Sequence, residues 1–155
     1  MVEKKLITKV DLCGIEMDNP VIPASGTFGY GMEYAEFYDL SRLGAVVVKG
    51  IRSIPSHGNP TPRIAEVTGG MLNAIGLQNP GIDVFCKRDI PFLKQYDTKI
   101  IVNVCGKSVE DYVEVVEKLG DSKDVAMLDQ MYELNLRYYK ELTMYILAGK
   151  RKLED

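Results

Sequence analysis

Two unbroken apolar runs constrain this chain more than anything else in it: Ala45-Val46-Val47-Val48, and Ile100-Ile101-Val102 behind Lys99. A strand with one wet face alternates apolar and polar residues. A continuous β-branched run instead suits a strand buried on both faces, as in parallel sheets covered by helices. Val125-Ala126-Met127-Leu128 reads as a further strand of this kind, and Val21-Ile22-Pro23-Ala24 as a shorter, earlier one. Pro23 sits better at the start of a strand than in its middle.

Helical patterns separate these runs. Residues 32–43 place Tyr34, Phe37 and Tyr38 on one face, with Gly44 as a stop. Residues 82–96 read as a helix interrupted at Pro91. Ser108 is expected to cap a helix whose Val109, Tyr112, Val113 and Val116 share a face, with Gly120 ending it. Strands alternating with helices require right-handed crossovers and a parallel sheet. A doubly wound open sheet and a (β/α) barrel both satisfy that order. Two hairpins are expected besides: one pairing residues 6–10 with 15–17, and one pairing 63–67 with 71–73 across Gly69-Gly70. A Pro-rich loop spans 53–63, and loops of that length are often functional.

Composition excludes several classes. The chain has 155 residues and a net charge of −3, which argues against a nucleic-acid partner, since phosphate binding needs a basic face. With 46% apolar and 26% charged residues it reads as an ordinary globular protein. No apolar run approaches the length of a membrane span, and no signal-peptide core follows Met1, so a cytoplasmic location is expected. Cys13, Cys86 and Cys105 are scattered without a C-x-x-C, as free thiols of a reducing compartment would be. With His57 the only histidine, no His/Cys metal site is expected.

In both layouts ligands bind at the C-terminal ends of the strands. The expected strands end in Ser25, Lys49 and Asn103. Ser25 alone fits a strand that simply reaches water, and Asn103 equally suits a turn. Lys49 is more informative, because an ammonium beside a buried edge calls for an anion or an electron-rich carbonyl. Gly50 after it would let a ligand approach the backbone. Ser25-Gly26-Thr27-Phe28-Gly29 lacks the G-x-G-x-x-G spacing of a dinucleotide fold, which favours the barrel. A second candidate is Asn73-Ala74-Ile75-Gly76-Leu77-Gln78-Asn79-Pro80-Gly81. Its carboxamides could match the imide edge of a pyrimidine, although composition alone reads it as a turn-forming loop. His57 reads as a solvated loop residue.

Asn19-Pro20-Val21-Ile22-Pro23-Ala24-Ser25-Gly26-Thr27-Phe28-Gly29, Val47-Val48-Lys49-Gly50-Ile51, Asn59-Pro60-Thr61-Pro62-Arg63, the 73–81 segment and Ile101-Val102-Asn103-Val104-Cys105-Gly106 together resemble class 1 dihydroorotate dehydrogenases. The likeness is to the catalytic subunit of the NAD-linked, two-subunit type, over roughly residues 5–128 and thus its N-terminal half. The resemblance implies a (β/α)8 TIM barrel holding FMN, oxidation of dihydroorotate to orotate in pyrimidine synthesis, and a partner subunit carrying FAD and an iron–sulfur centre. It implies that Ser25, Lys49, Gly50 and Asn103 contact FMN. It further implies that Lys49, Asn73, Ala74, Ile75, Gly76 and Leu77 hold the substrate.

The pattern departs from the family after Leu128. There the family carries a Cys-Pro-Asn whose Cys takes the substrate proton; this chain reads Asp129-Gln130-Met131-Tyr132-Glu133-Leu134, so no catalytic residue is assigned. Leu134, Tyr138, Leu142 and Tyr145 share one helical face, and Lys150-Arg151-Lys152 follows near the end. The expectation is therefore an α/β chain in two parts. Residues 1–128 form about four βα units of an incomplete barrel behind an N-terminal hairpin, and 129–155 form a divergent helical tail. A full barrel needs about 250 residues. The chain as written is accordingly expected not to retain FMN through purification. The alternatives are a truncated, non-catalytic product or a half-barrel interaction module that self-associates.

Overall fold

A computed structural model describes residues 7–120 and 122–130. The chain opens with β1 (Val10–Leu12) and β2 (Ile15–Met17), antiparallel with Val10 opposite Met17. Cys13 and Gly14 both take positive φ (53° and 85°), the tight turn that matches strand twist. The Asp11 carboxylate accepts from the Gly14 N–H at 3.0 Å.

Val21 to Ala24, expected as the first strand, forms no ladder. Pro20 and Pro23 remove two of the N–H groups that a ladder needs. The segment is tied down differently. Gly44 N–H donates to the Val21 carbonyl at 3.0 Å, and the Asn19 amide donates to the Arg42 carbonyl at 3.1 Å. A Cβ on Gly44 would collide with the Asn19 carbonyl. Close backbone approach, rather than a helix stop, thus explains that glycine.

The helix expected over 32–43 divides. Helix α1 is Ser25–Phe28 and α2 is Met32–Ala35. A 3-10 turn, Leu40–Arg42, follows behind Asp39, whose extended backbone breaks the helix and whose carboxylate accepts from Ser41 N–H at 2.9 Å. Phe37, expected on the packed face, is 81% exposed, whereas Leu40 is fully buried. Tyr34 stacks on Phe28 with ring centroids 4.5 Å apart.

Strand β3 (Ala45–Val47) leads to the hairpin of β4 (Ile64–Val67) and β5 (Gly70–Asn73), in which every residue is exposed. Helix α3 (Ile82–Val84) continues through a π-helical stretch, Phe85–Asp89, into α4 (Ile90–Leu93). Pro91 does not interrupt the helix. It lies in the first turn of α4, and the widened turn before it relieves the clash its ring would make with the preceding carbonyls. Strand β6 (Lys99–Val104) follows, then α5 (Val109–Leu119), then β7 (Met127–Gln130). Ser108 caps α5 by accepting from Asp111 N–H at 3.3 Å. The residues α5 buries are Tyr112, Val115 and Leu119, so the buried face is turned slightly from the expected one.

β3, β6 and β7 form one parallel sheet, with β6 in the middle. β7 starts two residues later than expected, because Val125 N–H closes a turn onto the Ser122 carbonyl. It runs through Gln130, beyond the boundary expected at Leu128; the rest of the tail lies outside the described residues. The described strands form three separate sheets and do not close a barrel. Among the described residues no helix is long and apolar enough to cross a membrane.

The parallel sheet is buried on both sides. Val46, Val48, Ile100, Val102 and Val104 pack with Leu40, Ile82, Phe85, Leu93, Tyr112 and Val115. Ala45, Ile101 and Met17 form the other cluster, over which Val10, Leu12 and Ile15 of the hairpin close. Within the first core sits Asp89, fully buried, its carboxylate held by Arg88 Nε at 2.9 Å and Nη2 at 3.1 Å. Nearby, the Tyr30 hydroxyl is buried with no partner among the described residues. Burial, reinforced by the Asp89 charge, pushes this phenol well above its ordinary range.

Two measurements check this packing. Ser108→Ala is expected to lower stability by about 1 kcal/mol in urea unfolding, the usual worth of a helix cap. Tyr30→Phe removes an orphaned hydroxyl, so it should be neutral or stabilising at pH 7. An unfolded tyrosine ionises near pH 10. Above about that pH the unfolded wild type gains by releasing a proton that folded Tyr30 keeps, so stability falls as pH rises. Tyr30→Phe should therefore lose less of its unfolding midpoint than wild type between about pH 10 and 12.

Candidate functional site

The β3–β6 ladder carries a defect where Lys49 stands. Val47 pairs with Ile101, yet Ile51 pairs with Val104, so the β3 side has one residue more than the β6 side. This is a bulge, the device that re-aims side chains beside active sites. The hydrogen bonds follow it. Val48 N–H donates to the Ile101 carbonyl at 3.0 Å, and Ile51 N–H, not Gly50 N–H, reaches the Asn103 carbonyl at 2.8 Å. Lys49 N–H, on the edge of β3 away from β6, donates to the Gly29 carbonyl at 3.0 Å. The turn that begins at Ser25 is thereby docked on the backbone of Lys49.

Gly50 is required by the protein itself. A Cβ there would collide with the Cys105 thiol and stand 3.3 Å from Leu77 Cδ1 and 3.5 Å from Asn103 Oδ1. The direction expected to admit a ligand is filled by these three side chains. Open space lies instead beside Gly26, where an added Cβ would meet nothing within 4 Å.

Asn103 is buried within β6, one residue short of its end rather than beyond it. Lys49 and Ser25 are half-buried, and Ser25 starts α1 rather than ending a strand. Among the described residues Lys49 makes no ion pair. Lys49, Gly50, Asn103, Leu77 and the Ser25 turn are thus brought together. Asn73 and Ala74 remain exposed on the last rung of the hairpin, with Ile75 to Gly76 beyond them.

Two residues outside the expected set hold this second segment. Asn59 donates from its amide to the Ala74 carbonyl at 2.9 Å and from its backbone to the Ile75 carbonyl at 2.9 Å. Asn79 is buried, and its carboxamide is committed to the backbone. It accepts from Gly81 N–H at 3.1 Å and Arg52 N–H at 3.3 Å, and donates to the Leu77 carbonyl at 3.0 Å. For Asn79 the turn-forming reading holds, not the pyrimidine-edge one. The Pro-rich loop is the other half of this brace: Ser56 and Asn79 exchange backbone hydrogen bonds at 3.0 Å, and Ala74 N–H donates to the Arg63 carbonyl. His57 is exposed, and its carbonyl accepts from Arg63 Nη1 at 3.1 Å. Leu77 is held at φ 51° directly after Gly76 at φ 81°, a left-handed pair that a leucine adopts only under constraint.

The strand ends thus carry an ammonium, a buried carboxamide and, on the docked turn, a hydroxyl. The family model described as dihydroorotate dehydrogenase matches residues 7–136. The chain belongs to the dihydroorotate dehydrogenase family. It is similar to the protein named dihydroorotate dehydrogenase B (NAD(+)), catalytic subunit, of Lachnoclostridium phytofermentans, with 67% identity over 114 residues, 74% of this chain and 38% of the relative. The relative of the same name from Alkaliphilus metalliredigens is 62% identical over 125 residues, 81% of this chain and 41% of its own length. That from Geobacillus kaustophilus is 53% identical over 120 residues, covering 77% and 38%. The chain therefore spans about two-fifths of the length of these relatives. The family is flavin-dependent in general.

Asn79→Ala should cost about 2–3 kcal/mol, because two buried backbone donors and one acceptor lose their partner together. Urea unfolding of the full chain checks this. Gln78→Ala, at an exposed neighbour, should stay within about 0.5 kcal/mol of wild type.

Proposed function

We propose that this chain supplies the FMN-facing and orotate-facing part of a dihydroorotate dehydrogenase, on the (β/α) barrel of which β3, β6 and β7 are strands. The reaction is the oxidation of dihydroorotate to orotate in de novo pyrimidine (UMP) synthesis. The observation that carries this reading is the placement of Lys49 on a bulge beside Asn103, with the Ser25 turn docked on the Lys49 backbone.

FMN, when bound, supplies the acceptor for the substrate's hydride. Ser25, Lys49, Gly50 and Asn103 would hold it. Lys49 would bring a positive charge to the ring, offsetting the negative charge that develops as the substrate is oxidised. Asn103 would bring a carboxamide to the ring from a buried position. Lys49 and the 73–77 segment would hold orotate. Asn73 presents its carboxamide, and the braces from Asn59 and Asn79 keep Ala74 to Leu77 from yielding when ligand arrives. A site built to pair a carboxamide with an imide edge rejects analogues that lack that edge. Proton removal from the substrate is assigned to no residue here. The relatives' shared name, catalytic subunit, supports a second subunit as the next electron carrier, and we place FAD and an iron–sulfur centre on it.

Titration tests this directly. FMN fluorescence should be quenched saturably by the full chain, and orotate should perturb the absorbance of the bound flavin. Lys49→Ala should weaken FMN binding by more than about fivefold, the order of one lost charge-assisted contact. FMN whose fluorescence and absorbance ignore the protein at every concentration would sink the reading.

A further inference from the structure

We infer that Cys105 is a positioning residue whose thiol sets the direction in which Asn103 presents its carboxamide. This rests on the reading of Asn103 as a flavin-facing group. Ile101, Asn103 and Cys105 alternate along one face of β6 and its continuation, while Val102 and Val104 point into the opposite core. The i, i+2 spacing brings Cys105 Sγ within 3.4 Å of Asn103 Oδ1, inside hydrogen-bond range for a thiol.

A thiol donates weakly and accepts weakly, whereas the two ends of an asparagine carboxamide are of opposite kind. The S–H therefore faces the amide oxygen, and the N–H2 group is turned away from the thiol. The reverse orientation would press two N–H donors onto a poor acceptor. Both residues are buried, at 4% and 3% exposure, so water cannot compensate for that error.

The thiol itself cannot drift. Cys105 N–H donates to the Ile51 carbonyl at 2.8 Å, which locks its backbone to the far side of the bulge. Its sulfur occupies the space that the missing Cβ of Gly50 leaves open. Bulge, glycine, thiol and carboxamide are one interlocked unit.

The full chain, Cys105→Ser and Cys105→Ala provide the test, read in two ways. In the first, the side-chain N–H2 resonances of Asn103 are followed in a 15N–1H spectrum without FMN. Wild type and Cys105→Ser should show one well-separated pair; Cys105→Ala should shift or broaden it while the backbone spectrum elsewhere is unchanged. In the second, FMN titration should give a loss of roughly three- to tenfold in Cys105→Ala, the worth of one neutral hydrogen bond, restored to within about twofold in Cys105→Ser. An Asn103 pair that ignores Cys105→Ala overturns the inference. So does a Cys105→Ser variant as impaired as Cys105→Ala, which would leave the sulfur a packing role only. If wild type gives the expected spectra but no FMN quenching, the cofactor reading falls and the positioning of Asn103 stands.

Discussion

The one-residue offset between β3 and β6 governs the strand-end site. Below it, the ladder is regular and both faces of the sheet are packed, so the register cannot slip without moving valines from one core to the other. Above it, β3 carries an extra residue, inserted between Val48 and Ile51. The Gly50 N–H is passed over in the ladder, and a glycine is required where the Cys105 sulfur enters. The Lys49 N–H lies on the edge of β3 away from β6 and takes up the Ser25–Gly29 turn there.

A second constraint governs the excursion between β3 and α3. This region exposes its hairpin completely, so apolar burial cannot hold it. Carboxamides perform that work instead. The Asn79 carboxamide satisfies three backbone groups at once, that of Asn59 holds the Ala74 carbonyl, and the Ser56–Asn79 pairing ties the Pro-rich loop to the 77–81 turn. The left-handed Leu77 is tolerable because both its neighbours in sequence and its contact near Gly50 are fixed. A segment held by polar braces can stay at the surface and still keep its shape, as the proposed substrate-facing role of residues 73–77 requires.

Much of this was legible from residue order. The parallel arrangement of β3, β6 and β7 follows from apolar runs that admit no wet face, and Ser108 and Gly120 bound α5 as their chemistry predicts. Both hairpins are present, the second close to its expected bounds, the first with its leading strand at Val10–Leu12 rather than 6–10 because the turn tightens to Cys13-Gly14. What failed did so for identifiable reasons. Val21 to Ala24 is apolar enough for a strand, but its prolines withdraw the donors. Residues 32–43 keep a helical period across Asp39, whose side chain stabilises a competing turn. Pro91 reads as a break because periodicity cannot register a π-helical widening. In the site, Lys49 and Asn103 were visible as polar residues closing apolar runs. The bulge was not, since a one-residue offset depends on two strands that are far apart in sequence. Asn79 was visible only as one carboxamide of a turn-forming loop, because nothing in composition distinguishes a carboxamide that braces its own backbone from one that is simply solvated.

That ambiguity bears on the division of labour in the site. Of the polar side chains around the strand ends, those with several backbone partners are fixed in place before any ligand arrives, and their cost of ordering is met on folding. Lys49 differs from them: its backbone N–H is anchored on the Gly29 carbonyl, while its ammonium has no carboxylate partner among the described residues. In the proposed site, a cation on an anchored backbone suits charge that develops during a reaction, and a buried carboxamide such as Asn103 suits recognition of a ring. The Gly29 contact fixes the backbone of the lysine, and the Cys105 thiol beside Gly50 holds the neighbouring carboxamide.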